Sequence, residues 1–168
     1  SQVLPAGQKL GTGIAITLAN IIAAGVKLSK ASVPPGSSER VFLYSPGQLN
    51  DIMAITQASS SDFTKNQIHD RGTINGVTWE GFQWVEIADV VDPSITLLQT
   101  MLPLASTTRS CIAFHKSCIG LSLGKDITTR IHERPDLQSC PIQVRSAMMM
   151  TAVRVFEGGV VQLDVLEN

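Results

Sequence analysis

Ile14, Leu18, Ile21, Ile22, Gly25 and Leu28 recur at three- and four-residue spacings. That period predicts an amphipathic helix over about 12–30, with Thr12 as its N-cap. Residues 1–8, with Pro5 and Gly7, read as an irregular lead-in, and Pro34-Pro35-Gly36 ends the helix and opens a loop. Val41–Tyr44 is a short run of apolar and aromatic residues and predicts a strand. Ser45 then caps a helix, Pro46 suits its first position, and Gln48 stands where the partner of a capping box belongs. Leu49, Ile52, Met53 and Thr56 form its inner face. Ser59-Ser60-Ser61 breaks it, and Ser61 or Asp62 caps a second short helix that Gly72 closes.

Thr73–Trp79 and Phe82–Ile87 predict a hairpin. Two turns compete, Asn75-Gly76 and Glu80-Gly81. The second leaves Phe82 and Trp84 together on one face of an alternating strand. Asp89–Leu104, broken by prolines, reads as loop with short extended pieces. Ser110–Phe114 predicts a strand. His115–Leu123 predicts a short helix turning Cys118, Ile119 and Leu123 inward, stopped by Gly124. Ile127, Thr129 and Ile131 alternate with Thr128, Arg130 and His132, the pattern of a half-exposed strand. Arg134-Pro135-Asp136 marks a turn, Pro141–Phe156 a long strand, and Val160–Val165 a last strand after Gly158-Gly159. There are no internal repeats.

Charge changes this picture. Only 16% of the 168 residues are charged, against about 25% in an ordinary soluble domain. A surface so poor in charge predicts cover by partner subunits; the plainer reading is a compact enzyme domain with a Ser/Thr-rich surface. The net charge of −1 supplies no basic field for nucleic acid. Mean hydropathy is +0.17, yet the most apolar window, Ile14–Val26, is too short to cross a bilayer. Cys111, Cys118 and Cys140 are odd in number and lack a C-x-x-C pair, which predicts reduced, mostly buried thiols.

Candidate chemistry is sparse. His69-Asp70 and His132-Glu133 are sequence neighbours whose side chains point apart. Cys111, His115 and Cys118 form a C-x3-H-x2-C without an evident fourth metal ligand. Ser45 lacks the G-x-S-x-G frame of a nucleophile, and capping accounts for it. Gly11-x-Gly13 lacks the third glycine of a dinucleotide loop. Met148–Met150 has no His or Cys beside it, so it predicts core filling or contact with a neighbour rather than copper. The residues therefore predict no catalytic, cofactor or metal site. Arg40, Arg130, Arg134, Arg145 and Arg154 are interspersed with acids, which predicts solvated faces or ion pairs between subunits. Two rivals are carried: a small α+β enzyme using His115 with Cys111 or Cys118, and a DNA-binding accessory domain.

In order along the chain stand VPPGSSERVFLYSP (Val33–Pro46), Asp62-Phe63, GFQW (Gly81–Trp84), AFHK (Ala113–Lys116), DITTRI (Asp126–Ile131), AVRV (Ala152–Val155) and Val160-Val161. This succession resembles tailed-bacteriophage (or prophage) major capsid proteins of the Hong Kong 97-like fold. The resemblance implies an α+β subunit, with a mixed β-sheet flanked by helices and a long spine helix near the N-terminus. It implies one capsid-like unit over 1–168: spine helix and following loop at about 9–36, then a sheet-and-helix core at about 37–168 with the hairpin 73–87. It further implies the C-terminal portion of a longer subunit, without the N-terminal arm and extended loop. The implied role is structural and non-enzymatic: copies in pentamers and hexamers form an icosahedral shell around phage DNA. The implied partners are the chain's own copies, portal, scaffold or cement proteins, and packaged DNA only non-specifically; no membrane is involved. The implied place is the virion, assembled in the bacterial host cytoplasm. By exposure, Asp89–Leu104 and the hairpin tip at Glu80-Gly81 are the candidate interface segments.

Overall fold

The computed structural model describes residues 4–11, 13–36, 39–55, 72–88, 91–92, 95–133 and 142–167. The chain divides into two compact units. One, the body, comprises Ser1–Cys118 and Phe156–Asn168; the other, the ribbon, is Ile119–Val155.

The body is built on a mixed seven-stranded sheet. Its strands are β1 (Lys9–Gly11), β2 (Arg40–Tyr44), β3 (Thr78–Trp79), β4 (Phe82–Glu86), β7 (Leu104–Ala105), β8 (Thr108–His115) and β11 (Val160–Leu166). The order is β1-β11-β8-β2-β4-β3, with β7 added against β8. β1/β11 and β2/β4 are parallel and the other pairs antiparallel. Two further short strands, β5 (Val91–Asp92) and β6 (Ile95–Thr96), pair with each other. Among the described residues the α-helices are α1 (Leu18–Lys30), α2 (Leu49–Met53) and α3 (Leu97–Met101).

Alternation sets the register. Along β8, Arg109, Cys111, Ala113 and His115 are buried while the residues between them are partly open. Val161, Leu163 and Val165 of β11 are buried, and a one-residue slip would turn all three outward. The other face of the pair is pinned by polar contacts. The Ser110 hydroxyl donates to Asp164 Oδ1 at 2.7 Å, and Gln162 Nε2 donates to the same oxygen at 2.8 Å.

Where β2 and β4 run side by side, Phe42 lies opposite Trp84 and their rings stack at 4.5 Å. Phe82, Tyr44 and Trp79 surround the pair with ring centroids 5.8 Å from Phe42 or Trp84. The indole N–H of Trp84 donates to the Trp79 carbonyl at 3.1 Å, so the core's largest side chain leaves no polar atom unsatisfied. The turn that delivers Phe82 and Trp84 to this face is the predicted Glu80-Gly81, both with positive φ (51° and 77°). A two-residue hairpin of the type that matches strand twist needs that pair of angles. Asn75-Gly76 also turns, with Gly76 at φ 74°, one step before the paired strands.

The first helix departs from expectation. The resemblance implied a long spine helix and the period a start near 12; α1 has 13 residues and begins at Leu18. The residues ahead of it are spent on the sheet. Ile14 accepts a hydrogen bond from the Leu166 N–H at 3.0 Å, and Ile16 is buried. Thr17, in extended backbone, caps the helix and accepts from the Asn20 N–H; the expected cap, Thr12, lies outside the described residues. Ile21, Ala24 and Leu28 bury one face of α1 in the core. Its C-terminal end is held by Arg40, which is buried and donates to Val33 O at 2.7 Å, Pro34 O at 3.2 Å and Ser29 Oγ at 3.0 Å. One guanidinium thereby satisfies carbonyls of the loop that would otherwise lack donors.

Pro46–Gln48 forms a 3-10 turn that runs into α2. Gln48 Oε1 accepts from the Ser45 N–H at 3.3 Å, the return half of the expected capping box, whereas the Ser45 hydroxyl donates to Glu167. Thr56 and the expected second helix lie outside the described residues. In the segment expected to be loop, α3 buries Leu98 and Leu102 follows it into the interior.

The helix expected at His115–Leu123 is absent. Lys116–Cys118 makes a single 3-10 turn, and β9 runs from Ile119 to Glu133, through Gly124. β9 pairs antiparallel with β10 (Ile142–Arg154), and this two-stranded ladder is the ribbon.

Candidate functional site

Among the described residues the side chains proposed for chemistry do not converge. No three His, Cys, Asp or Glu side chains are placed to hold a metal. Cys111 donates to Gln48 Oε1 at 2.9 Å, whereas His115, four residues along the same strand face, pairs its Nδ1 with Ser117 Oγ at 2.7 Å. Four residues of strand separate the two by roughly 13 Å. Burial pushes the Cys111 thiol from its ordinary 9.0 up to about 12, opposite to what a nucleophile requires. Cys118 is buried and unbonded to sulfur, and His132 sits on the ribbon. His69 and Cys140 lie outside the described residues.

The Cys111 shift has a measurable consequence. Between pH 9.0 and about 12 the unfolded thiol has lost its proton and the folded one retains it. The unfolded state then binds fewer protons, so stability falls as pH rises through that window. Burial raises the Tyr44 phenol in the same sense. Cys111→Ala is expected to show a shallower alkaline decline in urea midpoint than the parent. Equal slopes for the two chains refute the assignment.

The distinctive surface is the ribbon. Directly opposed residues of an antiparallel pair share a face, and alternate residues of one strand do too. Pairing places Ile131 with Val144, Leu123 with Met150 and Leu121 with Ala152 on one face, and period-two alternation along β10 adds Ile142 and Met148 to it. All of these large side chains are about half or more exposed, up to 68% at Ile131. The opposite face carries His132 with Gln143, Arg130 with Arg145, and Lys125 with Met149. The register slips on either side of Met149, where Gly124 lies on the β9 side. A Cβ at Gly124 would stand 3.3 Å from Met149 Sδ, so the bulge is packed closely.

Met148–Met150 therefore does not fill the core: the three side chains are 49–65% exposed. Of the other expected interface segments, Glu80 and Gly81 are exposed, whereas Leu98 and Leu102 are buried. An apolar stripe roughly 40 Å long on an isolated two-stranded ladder is not stable in water by itself. Exposed patches of that extent mark interaction surfaces. The alternation in Ile142–Ser146 was a visible signal for such a two-faced strand.

A family model described as phage capsid protein matches residues 1–167. The chain belongs to that family. No curated protein sequence matches the capsid chain. Among solved structures it is similar to one from Mycobacterium phage Che8, at 23% identity and TM-score 0.63, over 94% of this chain and 53% of that one. It is similar to the capsid of cyanophage P-SCSP1u at 14% identity and TM-score 0.62, covering 98% and 55%. The holo-SrpI encapsulin complex of Synechococcus elongatus PCC 7942 follows at 14% and 0.54, covering 96% and 54%. At these identities the likeness is one of fold, and it is the Hong Kong 97-like fold that the sequence resemblance implied. The capsid chain spans about half the length of the structures it matches. No helix among its described residues is long and apolar enough to cross a membrane.

Proposed function

We propose that the chain is a structural subunit of a phage shell, whose copies associate into a closed icosahedral coat around packaged DNA. The observation that carries this reading is the ribbon with an uncovered apolar face, on a chain of the phage capsid family. A monomer would leave that stripe in water; a shell covers it with neighbouring protein. Modest contacts suffice, because each is repeated many times across equivalent copies. In this reading the chain is non-enzymatic and acts as one capsid unit. Portal, scaffold or cement proteins meet the assembled copies, DNA is touched without sequence preference, and assembly takes place in the host cytoplasm before the virion leaves.

Size-exclusion chromatography followed by electron microscopy of concentrated chain tests the proposal. Rings, capsomers or particles are the expected result. A strict monomer at the highest soluble concentration overturns self-assembly by this chain.

A further inference from the structure

The ribbon's second face raises a separate question. Arg130 and Arg145 stand directly opposite each other, and His132 and Lys125 lie on the same face. Lys125, Thr128, Arg130, His132, Gln143 and Arg145 line one shallow groove there. Like charges directly opposed across a ladder are destabilising, and an anion over the face relieves that repulsion. Among the described residues no carboxylate forms an ion pair with Arg130 or Arg145. Glu133, paired with Ile142, belongs to the other face.

The distribution of charge along the chain identifies the anion. Ile119–Val155 contains five Lys and Arg against three Asp and Glu, whereas the rest of the chain contains eight against eleven. A chain that is nearly neutral overall is thus cationic in the ribbon and acidic in the body. Two copies are complementary ribbon-to-body. Two cationic faces repel each other, so a symmetric contact between them is disfavoured. A second copy supplies anions as the exposed carboxylates of its acidic body.

We propose that the cationic face of the ribbon docks on exposed carboxylates of the body of a second copy, Glu39 and Glu80 being among those the body exposes. The contact joins unlike surfaces, so it propagates head to tail and closes rings when the rotation allows. This rests on the shell-subunit reading and adds to it which surface meets which, and by what force.

Sedimentation velocity of the full chain at about 50 mM and about 500 mM NaCl tests it, since added salt shortens the reach of exposed charges. The parent is expected to associate at least about tenfold more weakly at the higher salt. Arg130→Glu with Arg145→Glu is expected to lose association at low salt by a similar factor. Its far-ultraviolet circular dichroism is expected to match the parent; if it does not, Arg130→Gln with Arg145→Gln is read in its place. Parent and variant associating equally at both salts overturn the proposal and leave the shell reading standing. A variant that self-associates normally but loses retention on duplex DNA also overturns it, because the groove then takes phosphates. A parent that stays monomeric at both salts removes the ribbon-to-body contact and self-assembly by this chain together.

Discussion

Replacing Trp84 by alanine is expected to lower the stability of the body by about 3–5 kcal/mol, the usual cost of truncating a fully buried aromatic. Trp84 has no exposed surface, stacks on Phe42 at 4.5 Å and meets Tyr44 and Trp79 at 5.8 Å. Its loss leaves a cavity over the paired strands β2 and β4, where neighbours held in sheet register cannot collapse inward. The Trp79 carbonyl also loses its indole donor. Native domains have only about 5–15 kcal/mol in hand, so the variant sits near the edge of folding. Urea unfolding reads the effect as a lower midpoint with an unchanged slope. A loss below about 1 kcal/mol would mean that the aromatic cluster is not the core of the body. Phe42→Leu in the same background measures the stacking itself, expected at about 0.5–1.5 kcal/mol of coupling beyond burial.

The part of the fold that was legible is the part where local and tertiary preferences agree. Ser45-Pro46-Gly47-Gln48 starts a helical turn by its own chemistry, and Glu80-Gly81 turns a hairpin that also delivers Phe82 and Trp84 to the interior. Agreement of that kind is what makes a sequence readable at all. Lys116–Leu123 is the contrary case. The spacing of Cys118, Ile119 and Leu123 suits a helix, but residues from Ile119 onward pair with a strand that begins 23 positions later, at Ile142. No local window contains that partner, and strand preference is set by what the strand packs against. The late start of α1 has the same origin: Ile14 fits the helical period, but its carbonyl accepts from the Leu166 N–H, and Ile16 is buried.

The surface was legible to a lesser degree. Alternation marked Ile127–His132 as a half-exposed strand, whereas both of its faces are open, and low charge pointed to cover by partners. Neither could show that Arg130 and Arg145 lie opposite each other, because the register between β9 and β10 decides it. Met148–Met150 read as core filling or contact with a neighbour, because its residue types suit both. Its exposure follows from a ladder that has no third layer within its own unit. A protein that associates distributes its apolar surface between its own interior and its partners, and residue type alone does not separate the two.

Arg109→Met is expected to cost about 3 kcal/mol or more, since it strands a carboxylate that has almost no access to water. The Arg109 and Glu167 side chains are 8% and 11% exposed, and both Nε and Nη2 of Arg109 approach Glu167 Oε2 at 2.5 Å. Nη1 donates to the Leu102 carbonyl at 2.8 Å, so the guanidinium also fixes the segment after α3. Glu167 in turn accepts from the Ser45 hydroxyl, and a Cβ at Gly47 would fall 2.5 Å from its carboxylate oxygen. One buried carboxylate thus joins the end of β11, the start of β8 and the turn after β2. The two partners are unequal in what their removal leaves behind. Glu167→Gln keeps the shape and frees the arginine to retain its carbonyl, so it is expected to cost less than Arg109→Met. Arg109→Met with Glu167→Leu removes both charges and is expected to recover most of the loss, as buried pairs replaced by apolar residues of similar size do. The double-mutant cycle from urea midpoints decides the matter. Additive single effects would show that the pair is not coupled, and that β11 is held by its ladders with β1 and β8.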